Sequence, residues 1–171
     1  GRAIASAVCG GLTAAVALAA VPADAQYFGR NKVQYRDFDF QVLETESFEI
    51  YYYPEEERAV RMAARMAERW NERLTRVLDY RFPDKQRLIL YASPPHFRQT
   101  EVIPSRIGET TGGVTESLKR RVVMPFGGSL AATDHVLGHE LVHAFQYALA
   151  DQGGLQRGGA PLPLWFVEGM A

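Results

Sequence analysis

Residues 131–150 read AATDHVLGHELVHAFQYALA, and this segment carries the strongest helical pattern in the chain. It contains no proline, Asp134 stands near its start, and a glycine pair at 153–154 marks its end, as expected of a helix. Its apolar side chains recur at one-, three- and four-residue steps: Val136, Leu137, Leu141, Val142 and Phe145. This spacing predicts an amphipathic helix that anchors one face in a hydrophobic core.

Five shorter segments predict strands. Residues 38–42 and 48–52 alternate apolar and polar side chains on either side of a turn-like break, which predicts a β-hairpin. The apolar run 88–92 predicts a buried strand, and the pair 114–117 and 121–124 predicts a second hairpin.

Two further helices are predicted. Residues 55–80 carry apolar side chains at three- and four-residue steps with charges between them, and Leu164 opens a last helical segment. The order of strands, helix, strands, helix and helix predicts an α+β fold, in which a mixed sheet packs on the long helix and on helix 131–150.

Charge argues against a nucleic-acid partner. The 171 residues include 19 Lys and Arg against 20 Asp and Glu, for a formal net charge of -1. The two signs are interspersed and form no basic face. Because 47% of the residues are hydrophobic, the chain can build one globular domain with a core of its own.

The N-terminus predicts export. Arg2 precedes an Ala-rich apolar run at 3–21, and Ala-Asp-Ala at 23–25 is a small-x-small cleavage site. We therefore expect residues 1–25 to be a signal peptide and 26–171 to be the mature domain, in the periplasm, the cell envelope or the medium. The alternative is an uncleaved segment that anchors the protein in a membrane.

Cysteine chemistry is excluded from that mature domain. The chain has one cysteine, Cys9, which falls inside the predicted signal peptide. Disulfides, a cysteine nucleophile and cysteine–zinc sites are then all ruled out. We also expect the chain to be a fragment, because it begins with Gly1 and its last predicted helix is cut at Ala171.

Helix 131–150 contains the motif H-E-x-x-H. His139 and His143 lie one turn apart on one face, so both imidazoles can reach one metal ion at the ~2.0–2.1 Å typical of zinc. Glu140, beside the first ligand, can hold a metal-activated water and take its proton. The alternative is a solvated face that binds nothing.

The chain offers few candidates for a third ligand. A metzincin would place Gly at 146 and His at 149, where this chain has Gln146 and Leu149. Asp151 is eight residues beyond His143, about 12 Å along a continuous helix axis, which is too far to coordinate. Glu168 is then the one acidic residue left downstream.

The segment around Glu168 resembles the gluzincin metallopeptidases, and in particular the peptidase MA-like family. That family often shows a Trp before the third-ligand Glu and Gly-x-Ala after it, as at Trp165, Gly169 and Ala171. The resemblance implies that Glu168 is the third ligand of one Zn²⁺ ion. It also implies that Gly169 and Ala171 let this last helix pack closely on the active-site helix.

The resemblance extends to fold and partners. It implies a zincin-like N-terminal subdomain whose second subdomain is truncated, and full-length relatives in which β-propeller-type repeats follow the domain. Gluzincins commonly add an acidic residue one turn after the third ligand, which would be position 172, and a later Tyr or His that stabilises the oxyanion. Neither can be named in this sequence.

Weaker signals surround the motif. Gly112, Gly113, Val114 and Thr115 are candidates for an edge strand that binds a peptide substrate, and an ordinary turn is the alternative. His135 is a candidate to support the metal ligands or is a structural histidine, and for Tyr147 we expect packing.

The predicted activity is zinc-dependent hydrolysis of peptide bonds with Glu140 as general base. The alternative is a zinc-stabilised binding domain of a larger exported protein with little turnover. A third reading is a zinc hydrolase that cleaves another kind of bond.

Overall fold

The computed structural model describes residues 34–100, 111–116, 119–152 and 163–171. The predicted signal peptide lies outside these residues. Five strands and four helices are present in the described part, and their order confirms the α+β class. The strands are β1 (Gln41–Glu44), β2 (Phe48–Tyr52), β3 (Gln86–Tyr91), β4 (Val114–Glu116) and β5 (Arg121–Pro125). The helices are α1 (Glu57–Leu78), α2 (Pro94–Phe97), α3 (Leu130–Gln152) and α4 (Leu164–Met170).

The strands form one mixed sheet in the order β1-β2-β3-β5-β4. The central strands β2, β3 and β5 run parallel, and β1 and β4 pair antiparallel at the two edges. Helix α1 provides the crossover between parallel β2 and β3. The β4–β5 pair confirms the second predicted hairpin, so β4 becomes the edge strand of the described sheet beside α3.

Alternation along the strands divides the core between the two faces of the sheet. Helices α1 and α3 cover one face, where their apolar stripes pack on side chains of the three parallel strands. Those strand residues are Phe48, Ile50, Leu88, Leu90, Val122 and Met124. The opposite face carries a smaller cluster of Tyr53, Tyr91, Phe97 and Val123.

Helices α1 and α3 meet closely at Gly138, one residue before the H-E-x-x-H motif. A Cβ atom at this position would lie 2.6 Å from the ring of Trp70, so the contact requires glycine. The Trp70 indole N–H and Arg69 both donate to the Asp134 carboxylate, at 3.1 and 2.8 Å. The start of the motif is therefore held against α1.

Some predicted boundaries were wrong. Phe38 and Phe40 precede β1, which begins at Gln41, and their rings pack edge-on or tilted against Tyr53 and Tyr91. An extended segment that packs on an aromatic cluster alternates apolar and polar side chains as a strand does, so the sequence pattern does not distinguish the two. The long helix begins as a 3-10 turn at Pro54–Glu56 and ends before Asp79, whose φ of 48° leaves the helical region.

The short helix α2 was not predicted. Its first two residues are Pro94 and Pro95, and proline also commonly ends a strand such as the predicted one at 88–92. Proline is well tolerated in the first turn of a helix, where the N–H it lacks has no helical partner. No helix within the described residues is long and apolar enough to cross a membrane.

Candidate metal centre

Helix α3 presents His139 and His143 one turn apart, as the motif predicts. Their Nε2 atoms are 3.1 Å apart, and the side chains are 32% and 10% exposed. The anchor residues Leu137, Leu141 and Phe145 are fully buried on the other side of the helix. The core therefore fixes the rotation of α3 that directs both imidazoles to the same side.

Helix α4 brings Glu168 to this pair. Its Oε2 atom lies 3.6 Å from His139 Nε2 and 3.7 Å from His143 Nε2. A point equidistant from three atoms with these separations lies about 2.0 Å from each, close to the ~2.0–2.2 Å of Zn–N and Zn–O bonds. The group of His139, His143 and Glu168 could hold a metal ion.

A second contact connects the same two helices. The His143 Nδ1 atom is 2.9 Å from Gln146 Oε1, and Gln146 Nε2 donates to the Val167 carbonyl at 2.9 Å. Gln146 is buried at 9% exposure. It therefore stands between one candidate ligand and the residue that precedes another.

Glu140 is buried beside the histidines at 5% exposure. The Thr115 hydroxyl on β4 lies 2.7 Å from Glu140 Oε2 and 2.9 Å from the Glu140 carbonyl, so it can donate to either. Burial raises the pKa of Glu140, and the Thr115 hydrogen bond and the two imidazoles oppose that rise in part. The carboxyl group is thus desolvated, yet hydrogen-bonded and close to the candidate ligands.

The glycines before β4 allow the strand to approach α3. A Cβ atom on Gly113 would lie 2.8 Å from Glu140 Cγ and 2.9 Å from its Oε1, and one on Gly112 would lie 3.1 Å from Val136 Cγ2. Only glycine at position 113 leaves the Glu140 carboxylate in its present place.

An open cleft of about 510 Å³ runs between β4 and α3. Gly112, Gly113, Val114 and Thr115 line one wall, together with the preceding Thr111. The other wall carries a stripe at four-residue steps along α3: His135, His139, His143 and Tyr147. Glu168 also contributes to the lining, so all the candidate site residues lie in one cavity.

Several neighbours differ from the predictions. Tyr147 is only partly buried and lines the cleft, and His135 is exposed on the cleft wall. Gly169 does not mediate close packing, since a Cβ added there would meet nothing within 4 Å. Ala171 does pack against the main core. Asp151, rejected as a ligand, pairs with Arg120 on the surface at 3.0 Å.

Sequence reasoning missed the contacts that Gln146 and Thr115 make with the candidate site from outside the motif. Gln146 served only to exclude the metzincin pattern. It lies three residues after His143, however, and side chains at this spacing are neighbours on a helix surface. Thr115 was predicted only as part of the edge strand, and its hydrogen bond to Glu140 had no local signal, because Glu140 is 25 residues further along the chain.

Comparison with known proteins does not identify the chain. No protein-family model, no curated protein sequence and no solved structure matches it.

Proposed function

We propose that this chain is a zinc-dependent peptide hydrolase of the gluzincin kind. His139, His143 and Glu168 are the zinc ligands and Glu140 is the general base. The observation that carries the proposal is the triangle of Nε2, Nε2 and Oε2 atoms with sides of 3.1, 3.6 and 3.7 Å.

The donor set favours zinc. Two imidazoles and one carboxylate are a usual set for catalytic zinc, which leaves a fourth position for water or substrate. Calcium and magnesium prefer sites built from oxygen ligands. The cleft beside the triangle is open, whereas a structural zinc site would be closed by a fourth protein ligand.

Zn²⁺ in this site would supply a Lewis acid and a water with its pKa lowered towards ~7. The Thr115 hydroxyl holds Glu140 through Oε2, which leaves Oε1 on the Gly113 side to accept the proton of the attacking water. Glu140 then delivers this proton to the leaving amine, and its raised pKa suits a group that must both accept and donate.

Strand β4 supports a peptide as the substrate. It is the edge strand of the described sheet, and its start forms the cleft wall opposite the candidate ligands. An extended peptide can add to such an edge through backbone hydrogen bonds, which places a scissile carbonyl beside the metal. Gly112, Gly113 and Val114 form this wall without bulky side chains near the base.

Export completes the proposal, with residues 1–25 as the signal peptide and a periplasmic, cell-envelope or secreted location. The competing reading, a zinc-stabilised binding domain, shares the ligands but gives no role to a buried, hydrogen-bonded Glu140. A zinc hydrolase for another bond would share both ligands and base, so a digest of peptides has to separate it.

The test combines metal analysis with digestion of a peptide library. We expect one zinc ion per chain, lost in His143→Ala and retained in His96→Ala, because His96 contacts Tyr53 on the opposite face of the sheet. We expect cleavage that a zinc chelator abolishes and added zinc restores. Zinc retention without cleavage of any peptide would leave the binding-domain reading, and equal zinc in both variants would refute the site.

A further inference from the structure

We infer that Gln146 is a positioning residue that couples the docking of α4 to the tautomer of His143. Through Gln146, His143 adopts the tautomer that can bind a metal when Glu168 is brought into place. The inference rests on the metal site proposed above, but its first step concerns hydrogen bonds of the metal-free chain.

The orientation of the Gln146 amide follows from its partner on α4. The Val167 carbonyl can only accept a hydrogen bond, so the NH₂ group of Gln146 must face it, at 2.9 Å. The amide oxygen is then left to face His143 Nδ1, also at 2.9 Å. A flipped amide would set two acceptors against each other at Val167.

The tautomer of His143 follows from that orientation. The Gln146 oxygen only accepts, so Nδ1 must carry the ring proton and donate it. A neutral imidazole has one N–H, which leaves the lone pair on Nε2. Nε2 is the atom that lies 3.7 Å from Glu168 Oε2 and belongs to the ligand triangle.

The same contact places the third ligand. Val167 directly precedes Glu168, so the hydrogen bond that holds its carbonyl also fixes the backbone from which the carboxylate extends. Helix α4 has no fully buried side chain, and Leu164 and Trp165 are 72% and 76% exposed. With so little apolar burial, this partly buried hydrogen bond has a large share in the docking of α4.

Coupling follows because Gln146 can satisfy either tautomer when α4 is absent. A free amide can rotate to accept from Nδ1–H or to donate to an unprotonated Nδ1. The carbonyl of Val167 removes the second choice. The arrival of α4 therefore supplies Glu168 and biases His143 towards its ligand form in one step.

The experiment uses two variants that divide the contacts of Gln146. Gln146→Met keeps the shape and removes both hydrogen bonds, whereas Gln146→Glu still accepts from His143 Nδ1–H and cannot donate to Val167. Gln152→Met and Gln152→Glu, at the exposed end of α3, are the matched controls. Three quantities are measured: zinc affinity by chelator competition, the His143 tautomer by nitrogen NMR of metal-free protein, and amide exchange in α4.

For Gln146→Met we expect roughly 10- to 100-fold weaker zinc binding, a mixture of His143 tautomers and faster exchange in α4. Gln146→Glu should retain the Nδ1–H tautomer but exchange faster in α4. Both Gln152 controls should match the wild type. Wild-type tautomer and exchange in Gln146→Met, or loss of the tautomer in Gln146→Glu, would overturn the inference. If the Met variant does not fold, the Glu variant alone supports or overturns it.

A double-mutant cycle tests the coupling itself. Since Gln146 also acts by delivering Glu168, the fold-loss of zinc affinity from Gln146→Met should be several times smaller in a Glu168→Ala background. Equal fold-losses in both backgrounds contradict coupling. If the wild type binds no zinc, the proposed function fails, and the tautomer and exchange measurements on metal-free protein still decide the role of Gln146.

Discussion

Two glutamates of this protein are equally buried but differ in their hydrogen-bond partners and in their access to a cleft. Glu140 and Glu56 are both 5% exposed, and burial is the main cause that raises the pKa of each. Glu140 accepts from Thr115, faces two histidines and lines a cleft. Glu56 is the residue that directly precedes α1 but makes no capping hydrogen bond with its side chain, and within the described residues neither of its carboxyl oxygens has a hydrogen-bond partner.

The comparison shows that burial alone does not make a carboxyl group functional. Burial raises the pKa of Glu56 to about 7, opposed in part by the nearby Tyr53 hydroxyl and Arg36. Glu56 belongs to no group of three possible metal ligands among the described residues, whereas Glu140 lies beside the group of His139, His143 and Glu168. Glu140 differs in its neighbours, so the two carboxyl groups should respond differently to the same amide substitution.

The largest difference is expected in catalysis. Glu140→Gln keeps the size of the side chain and the candidate zinc ligands but removes the proposed proton acceptor, so kcat should fall by roughly 10²- to 10⁴-fold with zinc content unchanged. Glu56→Gln is the matched control, a buried glutamate remote from the cleft, and should retain wild-type turnover. Peptide cleavage rates and metal analysis measure both, and full activity in Glu140→Gln would contradict its role as base.

The next largest difference is expected in stability against pH. The folded chain holds a proton on Glu56 up to about pH 7, whereas the unfolded chain releases it near the usual glutamate pKa of 4.5. The unfolded state therefore binds fewer protons between these values, and the free energy of unfolding falls as pH rises through this window. Above pH 7 the buried charge should cost about 3 kcal/mol.

Urea unfolding at pH 5 and pH 8 measures this effect. Glu56→Gln carries no titrating carboxyl group, so it should gain stability over the wild type at pH 8 and much less at pH 5. The wild-type-minus-variant difference isolates Glu56 from other groups that titrate in the same range. A difference that does not change with pH would show that Glu56 is already paired or hydrated.

The smallest effect is expected at the Thr115 hydroxyl, which gives Glu140 the hydrogen bond that Glu56 lacks among the described residues. Thr115→Val removes the hydrogen bond to Glu140 at constant shape and should lower kcat roughly tenfold, while Thr115→Ser should restore most of it. Thr75 provides the control, because its buried hydroxyl has no hydrogen-bond partner among the described residues. Thr75→Val should leave turnover unchanged, and an equal loss in both valine variants would indicate a general packing effect.

Periodicity predicted the fold class and most elements. The apolar stripe of residues 131–150 corresponds to α3. The apolar run at 88–92 corresponds to β3, which ends one residue before it. The prediction failed at Phe38 and Phe40, whose alternation reflects packing on Tyr53 and Tyr91 and not strand pairing. It also missed helix α2, which begins at Pro94. Proline both ends strands and begins helices, so this residue type alone does not distinguish the two.

By itself, the sequence determined the relations that local geometry dictates. The four-residue spacing of His139 and His143 on a helix puts two imidazoles on one side, whatever the rest of the chain does. The tertiary structure alone decided that Glu168 comes within 3.7 Å of both rings, that Thr115 meets Glu140, and that Gln146 reaches Val167. These contacts join elements 21 to 29 residues apart, and such distances depend on how the helices and the sheet pack, which no local spacing encodes.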